Sequence, residues 1–366
     1  MQIAVVGGGI SGLTAAMELA NGSCSVSVLE ASGRFGGQVA TERRDGFVIE
    51  LGAEGFVARS SAVPELCRRA GLDAELLAQA TRRAFMWRHD RLVELREGEA
   101  AELLGIPLAA EDVGRGLLTL PGGMGELVDA LVETLSRRVK LRAGALVTGL
   151  RRRGEGAAWR LDCADGESLE ADAVIVALPP RHAEPLLAPL VGTAELNAQI
   201  CYGSTVTVTL AYARGAVAHP LDAGGFVVDG PGPEGLRACS FSSSKFSGRA
   251  PAGQCLLRAF FTPGTGTIEE NEQSWSERAH RTLAPILGLR GPPDASWVRA
   301  WPAALPRYLA GHREAVVRVR RSLHRLGRIE CAGSGFDGGG IDGAVRSGLA
   351  AARRVVAGPA KLLKEA

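Results

Sequence analysis

The sequence predicts an α/β fold: a discontinuous, Rossmann-like dinucleotide-binding domain and a second, α+β domain built on a mostly antiparallel sheet. Three observations predict it. An apolar run at the N-terminus leads through a glycine loop into a helix, a strand, glycine loop and helix recur near the C-terminus, and the runs between them alternate in β fashion.

The opening run is Gln2 to Val6, followed by Gly7-Gly8-Gly9-Ile10-Ser11-Gly12 and a helical stretch from Leu13 to Leu19 with small, Ala-rich faces. In a G-x-G-x-x-G turn of this kind Gly7 permits the bend, Gly9 lets a pyrophosphate approach the backbone, and Gly12 lets the helix lie close on the sheet. The helix N-terminus then faces the diphosphate. A second apolar run, Ser25 to Leu29, ends in Glu30. That carboxylate stands about twenty residues beyond the turn, where it can accept hydrogen bonds from ribose hydroxyls.

NAD and FAD present the same ADP moiety to such a turn, and two further segments favour FAD. Directly after Glu30 comes Ala31-Ser32-Gly33-Arg34-Phe35-Gly36-Gly37, a glycine loop with one fixed cation, Arg34, suited to a diphosphate and its ribityl chain. Near the other end, Arg328 to Ala332 reads as a strand and runs into Gly333-Ser334-Gly335-Phe336-Asp337-Gly338-Gly339-Gly340 and a helix from Ile341 to Val356. A second helix N-terminus there supplies partial positive charge for a reduced isoalloxazine. The bland readings are a flexible joint for Gly333 to Gly340 and a solvated cation for Arg34.

Val139 to Val147, Trp159 to Cys163 and Ala173 to Leu178 read as strands extending the nucleotide domain, with a turn at Arg153-Gly154-Glu155-Gly156. Pro179-Pro180 marks the crossing into the second domain. There Thr205 to Ala211, Gly225 to Val228, Leu236 to Phe241 and Cys255 to Phe261 alternate as antiparallel strands, while Glu277 to Leu287 and Ala315 to His324 read as helices. The expected division is 1–60, 136–180 and 301–366 for the nucleotide domain, 61–135 for a helical connection, and 181–300 for the substrate domain.

A net charge of +2 over 366 residues gives no field to recruit nucleic acid. Cys24, Cys67, Cys163, Cys201, Cys239, Cys255 and Cys331 include no C-x-x-C pair and read as free thiols of a reducing compartment, and the six scattered histidines give no metal site. The uncharged stretch Ile3 to Met17 lacks a basic leader and is broken by glycines, so it reads as neither signal peptide nor membrane span. A cytoplasmic protein is expected. Weak peripheral contact with a membrane and self-association stay open.

Three segments carry a resemblance. Glu50-Leu51-Gly52-Ala53-Glu54-Gly55-Phe56, Ser242-Ser243-Ser244-Lys245-Phe246-Ser247-Gly248-Arg249-Ala250-Pro251, and Leu305-Pro306-Arg307-Tyr308 with Gly311-His312 after Trp301 resemble motifs of the FAD-dependent protoporphyrinogen and coproporphyrinogen oxidases, within the amine oxidase-like flavoproteins. The resemblance implies FAD, a tetrapyrrole substrate of haem biosynthesis and O2 as acceptor. It also implies that Gly7, Gly9, Gly12, Glu30, Arg34 and Gly37 hold the ADP and ribityl parts, with Ile10, Ser11, Ala31, Gly36 and Gly333 along the same loops. Val147 would meet the adenine through its backbone, Trp301 would pack near the isoalloxazine, and Gly340, Ile341 and Asp342 would lie where the last helix meets the flavin. Trp301 reads equally as a core aromatic. Ser242 to Ser244, Lys245 and Arg249 read as structural.

The chain departs from the family in two places. Between Leu104-Gly105-Ile106-Pro107 and Leu120-Pro121-Gly122-Gly123-Met124-Gly125-Glu126-Leu127 the family carries a long helical lobe that roofs the substrate cavity and faces the membrane, whereas here only Leu108 to Thr119 stand. Gly340-Ile341-Asp342-Gly343-Ala344 leans toward amine oxidases. The functional readings are therefore a porphyrinogen oxidase, a flavin amine oxidase or desaturase, and an FAD-binding protein without porphyrinogen oxidase activity. No side chain stands out as an acid or base, which suits a reaction that the flavin carries out.

Overall fold

Five short strands pair in parallel in the order Ile329–Cys331, Ala173–Val176, Gln2–Val6, Ser25–Leu29, Lys140–Arg142, all but the last almost wholly buried. Near-continuous apolar runs such as Ile3-Ala4-Val5-Val6 suit a strand covered on both faces. The computed structural model describes residues 1–72, 76–104, 112, 115–153, 159–264 and 267–358. On one face Ile3, Val5, Val26, Val28 and Ile175 pack against three helices, Ile10–Leu19, Gly125–Ser136 and Gly340–Ala357. On the other, Ala4, Val6, Val174 and Val176 meet a meander (Val147–Arg152, Trp159–Cys163, Ser168–Ala171) and the helices Pro180–Leu187 and His312–Leu326. Each fully buried Val, Leu or Ile contributes roughly 1.5–3 kcal/mol.

The second sheet has seven strands in the order Ala295–Tyr308, Ile200–Ala213, Gln254–Phe261, Leu236–Ser240, Gly225–Val228, Phe85–Arg88, Arg91–Glu94. Its pairings are antiparallel except that Gly225–Val228 runs parallel to Phe85–Arg88. Val206, Val208 and Leu210 point to one face, where the helix Glu272–Leu287 buries Trp275, Ala279 and Leu283 against them. Thr207 and Thr209 point to the other. That face takes the hairpin Thr41–Arg44/Phe47–Glu50, with Phe47 and Ile49 packed on Ala211, Leu256 and Trp297.

Four expectations change. The run Val139 to Val147 is two strands of different sheets, broken at Gly144, whose φ of 73° few side chains tolerate. The segment 61–135 holds the helices Ala62–Arg69, Glu99–Leu103 and Gly125–Ser136, but also the hairpin Phe85–Glu94 that finishes the large sheet. Its turn uses His89 and Asp90, both left-handed, in place of the Asn-Gly that would have marked it. The strand Ala295–Tyr308 continues past residue 300 and contains Pro302 and Pro306, which an edge strand accommodates. Of the shortened Leu108 to Thr119 link, Leu118–Thr119 pairs with Leu77–Ala78, while 108–111, 113 and 114 lie outside the described residues, as do 154–156 of the expected turn.

The first and last helices touch backbone to backbone. A Cβ on Gly348 would stand 2.3 Å from the Ser11 carbonyl oxygen. Gly348→Ala is expected to cost about 1–3 kcal/mol through overpacking. A fall in the thermal unfolding midpoint checks this, and an unchanged midpoint would show that the two helices part freely.

Candidate functional site

At their C-terminal ends the parallel strands deliver Gly7, Glu30, Ala177 and Gly333 to one edge of the sheet, the usual ligand side of such folds. The three turn glycines do different work. Gly7 has a φ of 105° and a Cβ there would lie 2.5 Å from the Ala177 carbonyl oxygen; one on Gly12 would lie 1.9 Å from the Gly7 carbonyl oxygen. Both are closed by protein. Gly9 is open, because a Cβ on it would meet nothing nearer than the Gly37 Cα at 4.0 Å. Space is kept over Gly9 alone, as a diphosphate needs. Ile10 and Ser11, both buried, begin the helix behind it.

Glu30 accepts from the Gly8 N–H at 2.7 Å and from the Ser32 N–H at 2.8 Å, so its carboxylate sits at the lip of the glycine turn. Ala31 beside it is exposed. Ala145 N–H donates to the Glu30 carbonyl at 2.8 Å, which brings Val147, two residues on, to the same corner. Arg34 is exposed but bound to its own loop. Its guanidinium donates to the carbonyls of Phe35, Gly37 and Val39 and so folds its own loop. Burial, then the nearby charge of Arg299, hold its pKa below the ordinary arginine value. That loop docks on the turn through Gly36 N–H to Gly8 O at 2.8 Å, and Gly36 and Gly37 both have positive φ.

The second glycine loop faces the first. Gly333, at a φ of 120°, lies beside Ser11, and its N–H donates to Ser347 Oγ at 2.8 Å. Tyr308 O–H donates to the Ser334 carbonyl at 2.6 Å, and His312 Nε2–H to the Gly335 carbonyl at 2.8 Å, tying the long edge strand to this loop. Gly340, with no atom within 4 Å of where its Cβ would stand, and buried Ile341 open the last helix. The Asp342 carboxylate is turned away, accepting from Ser60 Oγ at 2.7 Å and Arg346 Nε at 2.9 Å. Trp301 is half-buried. Its Nε1–H donates to the Leu51 carbonyl at 2.8 Å, and its ring lies 3.4 Å from where a Cβ on Gly52 would stand.

Where Gln38 approaches the second loop there is a small groove, about 10 Å³, lined by Pro180, Arg181, Tyr202, Ala304 and Ser334 among others, with no acid or histidine on its wall. Open backbone at Gly9 and Gly340, a carboxylate at the ribose position and two helix N-termini fit an extended dinucleotide carrying a flavin.

The sequence profile of the flavin containing amine oxidoreductases matches residues 10–107 and 81–356. The chain belongs to this family. It is an FAD-dependent oxidoreductase. The coproporphyrinogen III oxidase of Bacillus subtilis (strain 168) is similar at 23% identity over 96% of this chain and 97% of its own, and that of Propionibacterium freudenreichii subsp. freudenreichii at 26% over 97% and 90%. The first of these alignments runs to 457 positions against 366 residues here, as the shortened link would require. A solved structure from Exiguobacterium sp. 255-15 shares the fold, with a TM-score of 0.83 at 24% identity over 96% of this chain and 98% of that one.

Gln38, Arg181 and Tyr202 escaped the sequence reading. Gln38 directly follows Gly37, which was the available signal, and its Nε2–H donates to the Ala304 carbonyl at 2.8 Å. Arg181 stacks over Tyr202 at 4.6 Å, a contact between segments that no local pattern announces. Nor did local pattern show that two resembling motifs meet. Glu54, from the first, pairs with Lys245 of the second and lies 3.6 Å from Arg258. Glu50 accepts from Thr41 Oγ1 and the Met124 N–H, each at 2.6 Å, and lies 3.8 Å from Arg249. Arg249 also donates to Thr119 Oγ1 and to the carbonyls of Leu120 and Pro121. All seven cysteines are free and only Cys201 is exposed, and the described residues hold no cluster of three metal-binding side chains.

Burial pushes the Glu50 carboxyl up despite its hydrogen bonds and Arg249. Burial also acts to raise Glu54, but Lys245 and Arg258 overcome it and hold the group at about 2. A carboxylate lowered on folding stabilises the native state above its unfolded pKa, and that stability drains as pH falls toward the folded value. Native stability is therefore expected to lose about 3 kcal/mol from Glu54 between roughly pH 4.5 and 2. Glu54→Gln should be less stable at neutral pH and flatter across that window, as read by urea unfolding at a series of pH values. Gly9→Ala should leave the thermal midpoint of the apoprotein nearly unchanged yet weaken FAD binding at least about tenfold, since only the ligand contests that space. Gly12→Ala should lower both, so flavin titration and thermal unfolding together separate the two roles.

Proposed function

We propose that this chain oxidises a porphyrinogen to the porphyrin, with O2 taking the electrons and leaving as hydrogen peroxide. One observation carries the reading: the side chains gathered at the small groove beside the second glycine loop include no acid or histidine. Such a site suits a substrate that brings its own acid, the pyrrole N–H, and needs only to be held against a hydride acceptor. The names of the relatives point to the same substrate class, and both relatives named above to coproporphyrinogen III. Bound FAD supplies two-electron chemistry.

The protein's own work in each round is placement and charge. A meso carbon gives up a hydride while a pyrrole nitrogen releases its proton to water, and repeated rounds aromatise the ring. Gly7 to Gly12, Glu30 and Gly333 to Gly340 hold the cofactor, and the N-termini of the helices beginning at Ile10 and Gly340 add partial positive charge. Trp301, fixed by its bond to Leu51, walls the flavin end. Arg181 at the groove's mouth is a cation for a substrate carboxylate. With the Leu108 to Thr119 link so short, a second copy of the chain is the candidate roof. No helix among the described residues is long and apolar enough to cross a membrane, so any membrane contact would be peripheral.

A second reading, a flavin amine oxidase, draws on Gly340-Ile341-Asp342-Gly343-Ala344. Purified holoprotein given coproporphyrinogen III or protoporphyrinogen IX should develop porphyrin fluorescence and peroxide together, with the former substrate faster. A rate no greater than autoxidation overturns the proposal, and peroxide formed from primary or secondary amines would install the second reading.

A further inference from the structure

The motifs around Glu54 and Lys245 converge on a buried group of charges that the mechanism above does not use. Lys245, Arg249 and Arg258 face Glu50 and Glu54 at the seam between the 47–56 segment and the large sheet. Arg249 and Arg258 are each 2% exposed and Glu50 is 5% exposed. The cations outnumber the carboxylates. At the margin Arg43 and Glu126 act on Arg249 with opposite sign, so they leave that excess in place. Arg258 Nε has no hydrogen-bond partner, so its charge is not fully spent on Glu54.

The excess charge lies close to the flavin site. Arg258 Nη2 donates to the Gly52 carbonyl at 2.6 Å. Gly52 in turn presses on Gln38, whose carbonyl oxygen would be 1.8 Å from a Cβ placed there, and on the Trp301 ring. Ala53 N–H bonds the same Gln38 carbonyl at 3.2 Å. Gln38 lines the groove and the Trp301 ring packs on Gly52, so one peptide separates a buried guanidinium from both.

Hydride uptake by oxidised flavin adds two electrons and one proton and leaves one negative charge on the ring. We propose that the Glu50, Glu54, Lys245, Arg249 and Arg258 cluster is an electrostatic part of the redox centre, its excess positive charge favouring the reduced flavin over the oxidised one. Lys245 and Glu54 act as positioning residues in it, holding Arg258 on the Gly52 carbonyl. The inference rests on FAD and not on the identity of the substrate.

The test uses two variants of opposite sign in full-length holoprotein. Lys245→Met removes a positive charge and should lower the flavin midpoint potential and weaken binding of sulfite, which adds a negative charge to the ring, about tenfold. Glu54→Gln removes a negative charge and should move both readouts the other way. The double variant should return close to the starting protein, and Lys245→Arg should change neither. A structural role alone would move both single variants in one direction or leave the potential untouched, and either result overturns the proposal. For a variant that sheds its flavin, titrating the apoprotein with FAD before and after dithionite reduction gives the same quantity as a ratio of dissociation constants. Should neither single variant fold, the unmodified protein decides: it must bind sulfite more tightly than free FAD does, and weaker binding overturns the inference.

Discussion

The contact on which the rest of the molecule depends is the one between its two ends, where the last helix lies on the first at the distance of bare backbones. Gly348 on the Ser11 carbonyl and Gly12 on the Gly7 carbonyl allow the helices to settle onto the parallel sheet without a side chain between them. Because they do, the strands Gln2–Val6 and Ile329–Cys331 sit in one sheet with Ala173–Val176 between them, and the loops that follow open on the same edge. A cofactor reaching from Glu30 to Gly340 needs both loops in place. Packing in the core thus sets the geometry of the site, through glycines whose conservation of space matters more than their flexibility.

Much of this was legible in the sequence, and the reason is local. Gln2–Val6, Ser25–Leu29 and Trp159–Cys163 have the bounds their pattern suggests, the first two because a strand covered on both faces is rich in apolar residues, the third because its buried and half-buried residues alternate. The spacing of the glycines at 7, 9 and 12 announced two positions closed by protein and one left open. What stayed hidden depends on partners distant in the chain. The hairpin Phe85–Glu94 has a turn of His89 and Asp90 that only tertiary context makes left-handed, and Ala295–Tyr308 disguises itself with two prolines that its edge position forgives. Arg34 shows the same limit at the site: its setting among glycines spoke of a ligand, but its guanidinium closes the loop that carries them.

The seam between the two parts is polar rather than greasy at its centre. A seam built on Glu50, Glu54, Lys245, Arg249 and Arg258 has few alternative arrangements, because each displaced charge would be left without its partner in a medium that solvates it poorly. The segment from Leu51 to Phe56 is held from one side by these charges and from the other by Gln38 and Trp301. The residues that join the large sheet to the 47–56 segment thus also fix the position of Gln38 and Trp301.

The discontinuous sheet also sets an order of events while the chain is being made. A growing polypeptide can pair Gln2–Val6 with Ser25–Leu29 and later with Ala173–Val176, yet the outer edge of Ala173–Val176 and one flank of the first helix stay bare until residues 329–357 have been synthesised. For most of its time on the ribosome the nascent chain carries half a nucleotide site and an uncovered parallel strand, the kind of edge that other chains join. Both glycine loops stand side by side only once that last strand and helix are in place, and a chain that stops short of them leaves an apolar edge and an apolar helix flank uncovered.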